Sequence, residues 1–145
     1  MISALSVPAR DVALLIVRIV LGVILIAHGA QKFFSYGIGG TAASFAQMGI
    51  PLPTVSAVVA AVIELVGGAL LLVGLATAVA GLLVVLDMLG AALFVHAAHG
   101  IFAADKGWEL VGAIGAAALA LAAVGPGRIS IDHAVGARRP TAVTR

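Results

Sequence analysis

The sequence predicts an all-α protein, a membrane-embedded bundle of four helices. Of the 145 residues, 63% are hydrophobic and only 10% are charged, which leaves too little polar surface for a water-soluble domain. The apolar residues fall into four long runs, and each membrane span needs roughly 20 of them. The runs use most of the chain, so the connecting loops are short and no room remains for a separate catalytic domain.

The four runs are predicted to be four spans of one transmembrane domain, residues 1–128, at about 12–34, 54–74, 76–98 and 109–124. Hydropathy shows no gap between the second run and the third. A tight turn at Gly74 is nevertheless expected there, because one helix through both runs would be far longer than a bilayer is thick.

The longest loop, 35–53, is predicted to contain a short helix. Thr41 is a candidate N-cap for a helix over 42–48, which Gly49 would end. We expect this helix to lie at the membrane surface over the bundle. Beyond the last span, residues 129–145 are polar and are predicted to form a loose cytoplasmic tail.

The basic residues predict the orientation. With four spans, one side of the membrane carries five arginines: Arg10, Arg128, Arg138, Arg139 and Arg145. The other side carries Lys106, with Lys32 at its edge. The positive-inside rule therefore places both termini in the cytoplasm, and we interpret the arginines as topology signals rather than as a surface for nucleic acid. Cysteine is absent, so any redox role needs a cofactor, a metal or a partner.

An internal repeat is the basis for a finer architecture. A shift of 68 residues aligns the first span with the third, so that Gly22 and His28 meet Gly90 and His96. Since two helices separate the copies, the aligned spans would run parallel. Two hairpins related in this way are one interpretation, and chance similarity between apolar helices is the other.

Three ionisable residues fall within the predicted spans, where such groups usually mark function or a buried pair. At about 1.5 Å per residue, Arg18, Glu64 and Asp87 lie in one layer. The expected arrangement is Arg18 bridging one or both carboxylates. Such a cluster is either a structural clamp between helices or a site for protons or a quinone head group.

A second candidate site lies near the opposite face of the membrane. Its members are His28, Gln31, Lys32, His96, His99 and Glu109. Imidazoles and carboxylates of this kind bind Zn, Cu or Fe or ligate haem, and imidazole also exchanges protons near neutral pH, which suits a bound quinone. Interfacial hydrogen bonding without a ligand and a surface-exposed set without a role are the alternatives. Asp87 and His96 lie nine residues apart, on opposite faces of a straight helix, so we expect the two clusters to face different helices, or one of them to face a second protomer.

Several short motifs, in order, resemble the DoxX family of small bacterial membrane proteins over residues 12–133. The matching pieces are Arg18, His28-Gly29-x-x-Lys32, Gly49-Ile50-Pro51, Glu64-x-x-Gly67-Gly68, Gly74-Leu75-x-Thr77, His96, Gly100-Ile101-Phe102, Gly125-Pro126-Gly127-Arg128, Ser130 and Asp132. The matching motifs make four residues the positions of interest: His28, Lys32, Glu64 and His96. His99 is not part of the family motif.

The resemblance implies a four-helix bundle in the bacterial plasma membrane and a redox setting. Relatives include the membrane subunit of a thiosulfate:quinone oxidoreductase, and a mycobacterial relative associates with superoxide dismutase and a sulfurtransferase.

Three functions follow from these observations. The first is a redox component that binds a quinone or a metal ion, or anchors soluble oxidoreductase partners. The second is a transporter or channel for a small solute or protons. Four helices enclose little volume, so this second role would require a homo-oligomer. The third is a membrane scaffold without chemistry of its own, whose basic tail contacts partners or anionic lipid.

Overall fold

The computed structural model describes residues 6–136, and every regular element in that range is helical, so the all-α prediction is confirmed. Three helices are long and apolar enough to cross a membrane: span 1 (Val7–Ser35), span 2 (Pro53–Val73) and span 3 (Thr77–His99). A fourth apolar helix, α6 (Glu109–Val124), has 16 residues. At about 1.5 Å per residue it is about 24 Å long, slightly shorter than a typical hydrocarbon core.

Each span changes its helical geometry along its length. Span 1 consists of α1 (Val7–Ala30) and a π-helical turn, π1 (Gln31–Ser35). Span 2 consists of α3 (Pro53–Val62), π2 (Ile63–Gly67) and α4 (Gly68–Val73). Span 3 consists of α5 (Thr77–Ala91), π3 (Ala92–His96) and a short 3₁₀ turn, Ala97–His99.

A tight turn separates spans 2 and 3, as the sequence predicts. Gly74 and Ala76 both have positive φ angles, of 68° and 48°, and α5 begins at the next residue. Gly74 is required for a second reason, because a Cβ atom there would lie 2.6 Å from Cζ of Arg18. This turn, the start of span 1 and the end of α6 form what we call the termini end of the bundle.

The opposite end, the loop end, carries α2 (Gly37–Gln47), and the prediction for this helix was partly wrong. The helix begins at Gly37 rather than after Thr41. The Thr41 hydroxyl donates to the carbonyl of Gly37, 3.0 Å away, so Thr41 lies one turn inside the helix and does not cap it. Gly37, Gly39 and Gly40 favour a loop by their weak helix propensity, but tertiary packing overrides it.

Spans 1 and 2 are antiparallel and packed closely. A Cβ atom on Gly29 would lie 2.5 Å from the backbone nitrogen of Leu65, so only glycine permits this approach. The core continues through Leu25 and Leu71 to α5 and α6, which pack against each other along their length. The described chain is therefore arranged as two helical hairpins. The π turns differ between the proposed repeats, since π1 follows His28 whereas π3 contains His96, and a duplication stays a prediction.

The prediction of a loose tail from residue 129 was wrong for the part that the structure describes. Residues Ile131–Gly136 form a short helix, α7, held against the turn between spans 2 and 3. The backbone nitrogen of Asp132 donates to the carbonyl of Gly74 at 2.9 Å. The remaining tail, 137–145, with Arg138, Arg139 and Arg145, lies outside the described residues.

Candidate ligand-binding cavity

A cavity of about 850 Å³ opens between the two hairpins at the loop end of the bundle. One wall consists of α2 and α3, the other of span 3 and α6, and span 1 lies behind them. Its lining is predominantly apolar, and the polar exceptions include Lys32, Glu64, Asp87 and His96. A mostly apolar cavity of this size with a few convergent polar groups is typical of a small-molecule site.

The cavity exists because the two hairpins lie apart from each other in their loop-end halves. The first half of span 2, α3, packs against α2 and span 1, whereas α5 packs against α6. The two hairpins meet lower in the bundle, where α5 contacts π2 and α4. A cleft therefore widens from π2 toward the loop end, with Glu64 of π2 at its base.

A charge cluster lies in the buried wall of this cavity. Nζ of Lys32 donates to Oε2 of Glu64 over 2.5 Å, and Glu64 is only 6% exposed. Asp87 lines the same cavity. The two carboxyl groups and the ammonium group of Lys32 therefore all belong to its lining.

The three π-helical turns coincide with this site. Lys32 lies in π1, Glu64 in π2 and His96 in π3, and all three side chains line the cavity. A π turn amounts to one residue inserted into an α-helix, and such turns are frequent at functional sites. Their placement around one cavity, once in each long span, is independent support for a site here.

The expectation that Asp87 and His96 face different neighbours was wrong, and π3 is the reason. Nine α-helical steps of about 100° would set the two side chains about 180° apart, whereas the residue absorbed by π3 leaves eight effective steps, or about 80°. Both side chains therefore line the same cavity.

The loop after span 3 fixes the orientation of His96. Its Nδ1 lies 2.6 Å from the carbonyl oxygen of Lys106. A carbonyl can only accept, so Nδ1 carries the proton and Nε2 retains its lone pair in the neutral ring. His96 is thereby prepared to accept a hydrogen bond or a proton through Nε2.

The predicted bridge from Arg18 to Glu64 or Asp87 is wrong. Arg18, 2% exposed, donates to four backbone carbonyls at the termini end, and the acceptors are Leu71, Leu72, Pro126 and Ile129. Side chains on a helix point toward its N-terminus. In antiparallel spans, Arg18 and Glu64 therefore point in opposite directions, and Lys32 points back toward Glu64.

The C-terminal segment completes the arginine site. The Asp132 carboxylate accepts from the backbone nitrogens of Ala76 and Thr77, at 2.8 and 2.9 Å. Partial burial opposes ionisation of Asp132, but these two donors and the charge of Arg18 outweigh it and hold the pKa of Asp132 below its ordinary value. The segment thus fastens the ends of spans 1 and 2 and of α6 together.

The second predicted cluster assembles only in part. His28, Lys32 and His96 line the cavity together, whereas Gln31 is exposed and lines a separate depression with His28. Nδ1 of His99 lies 3.0 Å from the carbonyl of Val95 in its own helix. Glu109 accepts from the backbone nitrogen of Ala103 at 2.6 Å and closes the loop before α6.

Among residues 6–136, no three His, Asp or Glu side chains are grouped closely enough to hold a metal ion. The sequence-based prediction grouped Lys32 with the histidines and Glu64 with Arg18. It therefore missed the ion pair between Lys32 and Glu64. It also missed the apolar roof contributed by Phe45 and Met48. The signal available for the pair was the direction of the side chains, since each points toward the N-terminus of its own span and the two spans are antiparallel.

Comparison with known proteins identifies the family. The DoxX family profile matches residues 13–97, more than half of the chain. The chain belongs to the DoxX family. It is 34% identical to the Escherichia coli (strain K12) inner membrane protein YphA over 131 residues, which covers 86% of this chain and 91% of YphA. No solved structure matches the chain significantly.

Two further relatives match over shorter stretches. The Bacillus subtilis (strain 168) protein named "Putative oxidoreductase CatD" is 40% identical over 85 residues, or 59% of this chain and 60% of CatD. An uncharacterized membrane protein of Mycobacterium tuberculosis is 37% identical over 75 residues, 52% of this chain and 45% of that protein. The protein is thus a DoxX-type bacterial membrane protein, and the chain spans only part of the length of these two relatives.

Proposed function

We propose that the protein is the membrane component of a quinone-linked redox system in the bacterial plasma membrane, and that its cavity binds the quinone head group. The observation that carries this proposal is the Lys32–Glu64 pair, with Asp87, in the buried wall of an otherwise apolar cavity. Such a site suits a ligand with a polar ring and an apolar body.

The polar groups match the chemistry of a quinone. Reduction of a quinone to a quinol takes up two electrons and two protons. The ammonium of Lys32 would donate a hydrogen bond to one quinone oxygen, which favours negative charge developing there. Glu64, Asp87 and His96 would exchange the protons, because each can hold or release one. The electrons would come from a partner.

A soluble oxidoreductase is the proposed partner and electron donor. A relative carries an oxidoreductase name, which supports a redox setting for the family. This chain contains no cysteine, so it does not itself supply thiol chemistry. A division of labour in which the membrane chain binds quinone and a partner delivers electrons accounts for both facts.

The test is quinone binding by the protein in lipid nanodiscs. We expect wild-type protein to bind ubiquinone with one isoprene unit, and Glu64→Gln to weaken binding by about tenfold, through loss of the ion pair that positions Lys32. Asp105→Asn is the matched control, because this exposed acid lies outside the cavity lining.

A quinone extract of the purified wild-type protein is the second readout. Thermal unfolding of each variant distinguishes a lost site from a lost fold, and Asp87→Asn tests the cluster through a second residue. Wild-type protein that neither retains nor binds quinone would contradict the proposal and favour the transport or scaffold alternatives. Equal binding by wild type and both cluster variants would also contradict it.

A further inference from the structure

One opening of the cavity lies within the membrane-spanning part of the molecule. Val55 and Val59 on α3 and Leu86 and Phe94 on span 3 all line the cavity and are all strongly exposed, Val55 by 57% and Leu86 by 63%. We call this opening, between α3 and span 3, the mouth. All four residues are apolar and belong to spans, so the mouth faces hydrocarbon.

The cavity is also exposed at the loop end. There α2 and the loop after it line it with apolar side chains, of which Phe45 and Ile50 are half-buried and Met48 and Leu52 are exposed. Exposed Lys106 lines it from the loop after span 3. A ligand arriving from water would have to pass these mostly apolar side chains, whereas a ligand already in the bilayer reaches the mouth directly.

The size of the cavity points to more than a head group. About 850 Å³ lies near the upper end of the range for drug-sized ligands. The charged cluster occupies only the buried wall, and most of the remaining lining is aliphatic or aromatic. Packing a hydrocarbon chain against this apolar lining is favourable, because it removes apolar surface from water.

We propose that the ligand enters sideways from the bilayer between α3 and span 3, and that its isoprenoid chain stays in this opening while the head group contacts the Lys32–Glu64 pair. This inference rests on the proposed function and adds the route and the substrate class: a quinone with a long chain, taken from the membrane rather than from water. The chain is a determinant of affinity and not only a membrane anchor for the ligand.

The experiment narrows the mouth and compares two ligands. Val59→Trp and Leu86→Trp place a large ring at the opening, on either side of it. The controls are Val62→Trp and Leu82→Trp, on the same two helices, because Val62 and Leu82 are exposed apolar residues outside the cavity lining. Binding of a quinone with eight isoprene units and of one with a single unit is measured in nanodiscs, with the unfolding temperature of each variant.

We expect the two mouth variants to weaken binding of the long-chain quinone by about tenfold or more, and binding of the short-chain quinone by less than about threefold. The controls should bind both ligands as wild type does. Mouth variants that bind both quinones normally, or that lose both equally, would overturn sideways entry of the chain while leaving the proposed function intact. A wild-type protein that binds neither quinone would overturn the proposed function itself.

Discussion

At the scale of single residues, the protein holds two cations inside its bundle in different ways. Arg18 donates to carbonyls at the C-terminal end of α4 and in the segment that follows α6. Its planar guanidinium reaches several acceptors at once, and a helix C-terminus favours a positive charge. Lys32, with a more compact charge, pairs with one carboxylate. The first arrangement fastens helices, and the second places charge in a cavity.

The arginine arrangement predicts a large loss of stability without a specific loss of binding. Arg18→Gln would leave several buried carbonyls without a donor, and we expect it to lower the free energy of unfolding by at least about 2 kcal/mol. Arg10→Gln is the matched control: Arg10 is exposed and donates to one carbonyl, that of Val124, so its loss should be small. Denaturant titration in mild detergent measures both. Equal stability of the two variants would refute the role given to Arg18.

The sequence identified most of the important residues but not their partners. Arg18, Glu64, Asp87, Lys32 and His96 all stood out because charged and titratable groups in apolar runs are rare. Pairing them required the direction of each side chain and the relative depth of two antiparallel helices. An error of one helical turn in depth moves a long side chain from one partner to another. Amino-acid composition does not determine the depth of a helix to within one turn.

At the scale of helical elements, the π turns decide which side chains meet. Hydrophobic periodicity predicts that a span exists, and the bounds of α6, Glu109–Val124, agree with the predicted run. It does not reveal one inserted residue, because an apolar run remains apolar with or without it. The relative rotation of Asp87 and His96 therefore could not be predicted, and π3 reverses the sequence-based expectation for these two residues.

Removal of the inserted residue is a direct test of this element. Deletion of Leu93, an exposed side chain within π3 that does not line the cavity, should convert the turn to regular α-helix. Eight α-helical steps then separate Asp87 from His96, which keeps the two side chains about 80° apart and on one face. We expect quinone binding to stay within about threefold of wild type. Leu93→Ala keeps the chain length and should bind normally.

Circular dichroism and thermal unfolding of the deletion variant show whether it remains folded and helical. A folded deletion variant that binds quinone about tenfold more weakly than wild type would mean that π3 contributes more to the site than the relative rotation of Asp87 and His96. A Leu93→Ala variant as weak as the deletion would assign the effect to the lost side chain instead.

At the scale of the whole molecule, the arrangement separates structure from the candidate site. The termini end is held by Arg18, Asp132 and the turn at Gly74, whereas the loop end opens into the cavity. The two hairpins are thus joined firmly at one end and apart at the other. Such a bundle can hold a ligand between its hairpins without a large enclosed volume, which four helices alone do not provide.

This asymmetry makes the orientation in the membrane a functional question. We expect both termini on the cytoplasmic side, because the arginines concentrate at the termini end and the positive-inside rule then applies. The cavity would accordingly lie toward the outer face. Protons released or taken up by a quinone at this site would then exchange with the outer side of the membrane.

Single-cysteine labelling tests the orientation without background, since the chain has no cysteine of its own. Arg128→Cys probes the termini end and Asp105→Cys the loop end, both at exposed positions. In right-side-out vesicles, a membrane-impermeant maleimide should label Asp105→Cys at once and Arg128→Cys only after detergent is added, with the reverse order in inverted vesicles. The opposite pattern would place the cavity toward the cytoplasm. The site would then exchange protons with the cytoplasmic side of the membrane. Labelling of the two positions from the same side in the same vesicles would contradict an even number of spans, and α6, the shortest apolar helix of the bundle, would then be the one that does not cross.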